Sequence, residues 1–179
     1  FVSFFILTLW GALVLASPFL LYEIWAFVAG ALTEKERRYV LIFWPLSLIF
    51  FAAGCAFGYF VVAPVSLKFF LSFSSEVMIP LITVSRYLSF VGSLVISFGV
   101  VFELPLILWF LTKIGVASPA FLSQKRKHAL VLIFIVSAIL TPPDVFSQLL
   151  MAIPLIFLYE TGVVLSRLAH STKARPHSS

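Results

Sequence analysis

Residues 39–67 read YVLIFWPLSLIFFAAGCAFGYFVVAPVSL, 29 consecutive positions without a charge. Crossing a hydrocarbon core takes roughly 20 predominantly apolar residues in a helix, so this stretch spans a bilayer with length to spare. Working outward, 1–32 carries only Glu23 and 87–112 carries only Glu103. Residues 128–141 are apolar but short, and 145–166, carrying only Glu160, follow after Pro142-Pro143-Asp144. The last two read as a tight helical hairpin. Its short arm implies either local thinning of the bilayer or a shallow stop. The expected fold is therefore all-α and polytopic: a single transmembrane helical domain over 1–168 and a polar tail at 169–179. Its five spans are expected near 2–31, 40–64, 87–111, 128–141 and 145–166.

Composition agrees with that reading. Of 179 residues, 62% are hydrophobic and 11% charged, and the mean hydropathy is +1.15. Twelve Lys and Arg with seven Asp and Glu are too few to clothe a soluble core. The net charge of +5 does not point to nucleic acid, because the basic residues lie in short segments between apolar runs. Lys35, Arg37 and Arg38 form one group, Lys113, Lys125, Arg126 and Lys127 a second, and Arg167, Lys173 and Arg175 a third. The two alternate connections hold only Lys68 and Arg86. By the positive-inside rule the three basic groups face the cytoplasm, the C-terminus with them. Five passes then leave Phe1 outside, so one further helix upstream is expected.

Prolines within the spans, Pro18, Pro105 and Pro154, free the carbonyls of Val14, Val101 and Leu150, and kinks are expected there. Side chains, neighbours or water must satisfy those oxygens in lipid.

Among polar residues, Thr33-Glu34-Lys35-Glu36-Arg37-Arg38 fits a capping box for a helix beginning near Tyr39, with Thr33 and Glu36 three positions apart. The sharper alternative is that Glu34 and Glu36, at the membrane surface beside Phe27, pair with guanidinium groups of a cationic peptide. Glu103 has no basic partner inside any span. A carboxyl at that depth must be neutral, face water, or hydrogen-bond a neighbouring helix, in this chain or another. The bland possibility is the carbonyl freed by Pro105. Glu23 and Glu160 lie nearer the interfaces, where snorkelling or local hydrogen bonding is the default. In Thr141-Pro142-Pro143-Asp144-Val145-Phe146-Ser147-Gln148 the prolines stop one helix and Asp144 caps the next, while Thr141 and Gln148 offer polar groups to a passing helix. No metal-ligand spacing, phosphate loop or nucleophile–base pair is apparent, and no cofactor is implied. The one cysteine, Cys55, lies in an apolar run. Two other classes compete with a protein-binding role. A proton-coupled small-solute transporter would use Glu103 as its coupling acid, but no internal repeat accompanies it. An intramembrane enzyme would need a constellation that is not visible.

Taken together, Ser17-Pro18, Ile24-Trp25-Ala26-Phe27, Glu36-Arg37-Arg38, Tyr87-Leu88-Ser89-Phe90, Phe98-Gly99, Phe102-Glu103-Leu104-Pro105 and Thr141 through Gln148 resemble the TatC family, the multi-spanning subunit of the twin-arginine protein translocase. The likeness runs from Ser3 to about Arg167. It implies six helices in a cup-like arrangement, both termini cytoplasmic, in the cell membrane, with the N-terminal tail, first helix and first outer loop lying upstream of this fragment. It also implies that Glu36, with Phe27, Glu34, Arg37 and Arg38, forms the recognition site for the paired arginines of signal peptides. Glu103 corresponds to the acid of the concave membrane face. Thr141 and Gln148 correspond to a polar cluster that receives the helix of a single-span TatA/TatB-type partner, and Asp144 and Glu160 to positions with structural roles. Membrane lipid and self-association in a larger complex complete the implied partners, with export of folded cargo driven by the proton motive force. One departure stands out: Gly30 occupies a place where the family usually has proline.

Overall fold

The computed structural model describes residues 2–30, 32–72, 84–140 and 145–173; the side chains of 35, 36, 70, 71, 140, 146, 147 and 169–173 are outside that description. The described residues are helical almost throughout. Helix α1 is Val2–Gly30, and α2 (Glu34–Phe57) continues through a π turn at Gly58–Val62 into α3 (Ala63–Ser72). Helices α4 (Val84–Val101) and α5 (Leu104–Lys113) form one interrupted run. A short α6 (Pro119–Gln124) precedes α7 (Arg126–Leu140) and α8 (Val145–Lys173). Four runs are long and apolar enough to cross a membrane: Val2–Gly30, Arg37–Phe69, Val84–Lys113 and Gln148–Leu168. The 15 residues of α7 rise about 22 Å, short of the roughly 30 Å hydrocarbon core.

The interruption between α4 and α5 has its cause in Pro105, which cannot donate to Val101. The chain turns at Phe102–Glu103, where the Glu103 N–H donates to Val100 O (3.1 Å), and α5 restarts with Ile107 N–H on Glu103 O (2.9 Å). Pro18 and Pro154, by contrast, sit inside continuous helices, as does Pro45. At Pro18 the released Val14 oxygen accepts from Ser17 Oγ at 2.7 Å, so lipid never meets an open carbonyl. The helix starts at Glu34, five residues before the expected start near Tyr39, and so takes the first basic group into its opening turns. Thr33 takes the place before its first turn, and Arg37 N–H donates to Thr33 O at 2.9 Å.

Helices α2 and α4 meet along small residues. Gly54 of α2 and Gly58 at the start of the π turn, four residues apart, lie against the α4 backbone. A β-carbon on Gly54 would stand 2.4 Å from Phe98 O and 2.9 Å from Gly99 Cα. Gly99 lies under Cys55 and Phe51 in return. Around this seam Leu94, Phe98, Met151, Ala152 and Leu155 form the main core, joining α4 to α8. A second core at the far end of the bundle joins Trp25 of α1, Phe43 of α2 and Phe110 of α5. Trp25 meets Phe43 at 5.6 Å and Phe110 at 4.9 Å between ring centroids, the latter edge-on. Almost none of the apolar window of α1 is buried, so the described residues leave most of the surface of that helix uncovered.

Side-chain contacts fix which ends lie together. Ser3 and Ser85 share a 2.8 Å hydrogen bond, so α1 and α4 start at the same end. At the other end Lys113 stands 5.6 Å over the Tyr39 ring, and Arg167 Nη2 donates to Ser123 Oγ at 3.2 Å. Arg126 pairs with Glu160 at 2.8 Å. Members of all three basic groups thus gather at one end, and Arg86 lies at the opposite one.

Candidate functional site

The C-terminal third of α1 and the first turns of α2 enclose a groove of about 400 Å³ at the basic end. Its α1 wall is Tyr22, Trp25 and Ala29, which share a face because they sit three and four residues apart. Its α2 wall carries Glu34, Arg37 and Arg38 at the mouth and Trp44 ten residues beyond Glu34. Trp25 and Ala29 are buried in the floor, whereas Glu34, Arg37 and Arg38 are exposed. Trp44 stacks edge-on with Tyr22 at 5.8 Å, and its indole N–H is buried without an acceptor among the described residues. The groove is therefore apolar and aromatic in its depth and charged at its mouth, a shape that suits an amphipathic guest.

Of the five residues expected at this site, three line the groove. Phe27 does not: it projects from α1 roughly 150° round from the groove-lining face and is 84% exposed. Glu36 lies in the first turn of α2, but its side chain is outside the described residues. Trp44 and Tyr22 were not singled out by sequence. The available signal was their type, since Trp and Tyr concentrate where a helix leaves the hydrocarbon.

Glu103 occupies a second position, between α4 and α5 at the level of Ser47. It is 7% exposed, and its Oε2 accepts from Ser47 Oγ of α2 at 2.6 Å. Its Oε1 is buried with no hydrogen bond to any described residue. The partner is thus a hydroxyl on a neighbouring helix of the same chain. Ser47 went unnoticed in the sequence, although it is the only Ser or Thr of the charge-free run before Ser66. A comparable pair closes the α5–α8 contact. Thr112 Oγ1 donates to Leu108 O (2.9 Å), so Ser166 supplies the proton of the 2.6 Å Thr112–Ser166 bond.

The third position is the α7–α8 hairpin. Gln148 Nε2 donates to Phe134 O at 3.0 Å and lines an open, apolar cleft along α7 that ends at Lys127. Thr141 and Asp144 lie outside the described residues. Glu160 forms its ion pair with Arg126, and Tyr159 Oη donates to Leu122 O at 2.7 Å, so both fasten α8 to the segment around α6. Among the described residues no group of His, Cys, Asp and Glu is arranged to hold a metal.

These features define a multi-pass α-helical membrane protein with an amphipathic groove at its basic end and a buried intramembrane acid. The chain belongs to the TatC family: the family model described as Sec-independent protein translocase protein (TatC) matches residues 1–154. It is 42% identical over 167 residues to the Sec-independent protein translocase protein TatC of Desulforapulum autotrophicum, covering 93% of this chain and 62% of that protein. It is 44% identical over 161 residues to TatC of Escherichia coli strain K12, covering 90% of this chain and 62% of that protein. A crystal structure of the twin arginine translocase receptor TatC is similar with a TM-score of 0.78 at 42% identity, covering 88% of this chain and 69% of that one. The chain therefore spans just under two thirds of the length of these curated relatives.

Proposed function

We propose that this chain forms the greater part of a translocase subunit that recognises twin-arginine signal peptides from the cytoplasm. With single-span TatA/TatB-type partners, it exports folded proteins across the cell membrane at the expense of the proton motive force. The observation that carries the reading is the groove at the basic end, where Glu34 stands at the mouth of an aromatic cavity and Glu36 follows in the same helical turn. An arginine fork pairs bidentately with a carboxylate, which a lysine ammonium cannot do, so two acids in one turn favour paired arginines. Each such bond contributes roughly 1.5–3 kcal/mol net where water is excluded, and the apolar segment behind the arginines adds burial against the aromatic wall.

The remaining residues follow from the same reading. The positive-inside rule puts the basic end and the C-terminus in the cytoplasm. Gln148, beside the open cleft on α7, and Thr141 serve partner-helix docking, and Glu103 is the intramembrane acid of the assembled complex. Asp144 and Glu160 hold the hairpin and the segment around α6. Arg37 and Arg38 flank the acids at the mouth, while Phe27, on the opposite face of α1, lies outside the groove.

The test is export of a folded reporter in cells carrying the full-length protein. An Arg-Arg signal is compared with Lys-Lys, in wild type and in Glu36→Ala. Both changes are expected to cut export at least tenfold. Undiminished export by Glu36→Ala would overturn the assignment of the site.

A further inference from the structure

The arginines at the mouth of the groove pose a question that peptide recognition leaves open. Arg37 and Arg38 project beside the acids proposed to receive two more arginines, and like charges at that spacing repel. Neither forms an ion pair with a described residue, since the one such pair is Arg126 with Glu160. Their chemistry calls for an anion. With Glu34 opposing them, the described side chains at the mouth carry a net charge of +1, and the positive end of the 24-residue α2 dipole points the same way.

The depth of the groove limits what that anion belongs to. From Glu34 to Trp44 is ten residues, about 15 Å along the helix, or half the roughly 30 Å hydrocarbon core. The cavity runs the height of a single leaflet. Its side is open as well as its mouth among the described residues: Tyr22 is 52% exposed and Leu41 76%, on helices long and apolar enough to cross a membrane. A volume near 400 Å³, apolar below and cationic above, suits about one acyl chain of a phospholipid with the phosphate at the mouth.

We infer that the α1–α2 groove is a binding site for an anionic phospholipid of the cytoplasmic leaflet, its phosphate held by Arg37 and Arg38 and an acyl chain lying against Tyr22, Leu41 and Trp44. Guanidinium forks match phosphate oxygens as they match carboxylates, and basic pockets at the membrane surface select anionic headgroups. The site goes beyond peptide recognition: the acids serve the peptide and the arginines serve the lipid, whose acyl chain gives up the aromatic wall when the apolar segment of a signal peptide docks.

The experiment uses the full-length protein reconstituted in phosphatidylcholine vesicles containing a minor share of lipid with brominated acyl chains, which quench tryptophan on contact. The Trp44 signal is the difference between wild type and Trp44→Phe. The net charge of +1 on the described side chains at the mouth predicts quenching by brominated phosphatidylglycerol about fivefold more effective than by brominated phosphatidylcholine at the same share. The preference is expected to shrink in high salt and to vanish in R37Q/R38Q. If that double variant does not fold, the headgroup and salt comparisons on wild type decide alone. Equal quenching by both lipids would overturn the proposal, because the groove would then hold bulk lipid without reading its headgroup. Absence of quenching by either would overturn it too, because protein or peptide would then fill the groove. The readout needs no peptide, so E36A losing export while keeping the lipid preference, or the reverse pattern, separates the two readings.

Discussion

The bond between Ser47 and Glu103 makes a prediction whose size can be worked from its surroundings. Ser47 is 0% exposed and Glu103 7%, and the 2.6 Å O–H···O distance is that of a charge-assisted or comparably strong hydrogen bond. Replacing Ser47 with Ala removes this donor from a carboxyl whose second oxygen already has no described partner. Leaving a buried acceptor open costs about 1–3 kcal/mol in proteins generally. Interhelical side-chain bonds in membranes have averaged about 0.6 kcal/mol with a maximum near 1.7, because the reference state in lipid finds other partners. Burial of both groups puts this pair at the upper end, so S47A is expected to lose about 1–2 kcal/mol. E103L alone strands only the small Ser47 hydroxyl, which turns to an i−4 carbonyl as helical serines do, and costs less. The double variant replaces both polar groups with apolar ones, and a coupling of about 1 kcal/mol should emerge from the cycle. Cys55, the only cysteine, packs on Gly99 in the α2–α4 seam, so a thiol-reactive dye reports separation of these same helices during thermal unfolding. Additivity of the two substitutions within about 0.3 kcal/mol would refute the coupling and the geometry behind it.

The glycine seam gives an order of effects under the same dye assay. Gly54→Ala would place its β-carbon 2.4 Å from Phe98 O, a backbone atom that cannot rotate away, and is expected to cost about 1–3 kcal/mol. At Gly58 the nearest atoms stand 3.2 Å away, so alanine should cost under about 1 kcal/mol, while Gly11→Ala meets open space and gains about 0.5–1 kcal/mol of helix propensity. A different ranking would contradict the close approach. The Arg126–Glu160 pair is more than two-fifths exposed on both sides, so R126Q or E160Q should lower stability by only about 0.2–1 kcal/mol, an effect that high salt removes from wild type.

What was legible in the sequence was whatever the bilayer enforces residue by residue. A charge in hydrocarbon costs several kcal/mol, so the charge-free run at 39–67 and the alternation of basic groups disclosed the all-α, multi-pass fold and the gathering of Lys113, Arg126 and Arg167 at one end. The break at Pro105 was equally legible, because a missing donor acts on the chain's own backbone. Rotation of the helices about their axes was not. A soluble helix advertises its inner face by a polar outer one. Here lipid and core are both apolar, so nothing in the sequence of α1 marks Phe27 as facing away from the groove while Tyr22 and Trp25 face into it. For the same reason Ser47 could not be matched with Glu103 across 56 positions: the demand of Glu103 for a donor was evident, but the identity of the donor depended on which side of α2 meets α4. That side is set by Gly54 and Gly58, whose lack of side chains lets the two backbones touch and brings Ser47, two turns earlier, level with the turn that carries Glu103. The buried acid is therefore held where it is by the smallest residues of the neighbouring helix.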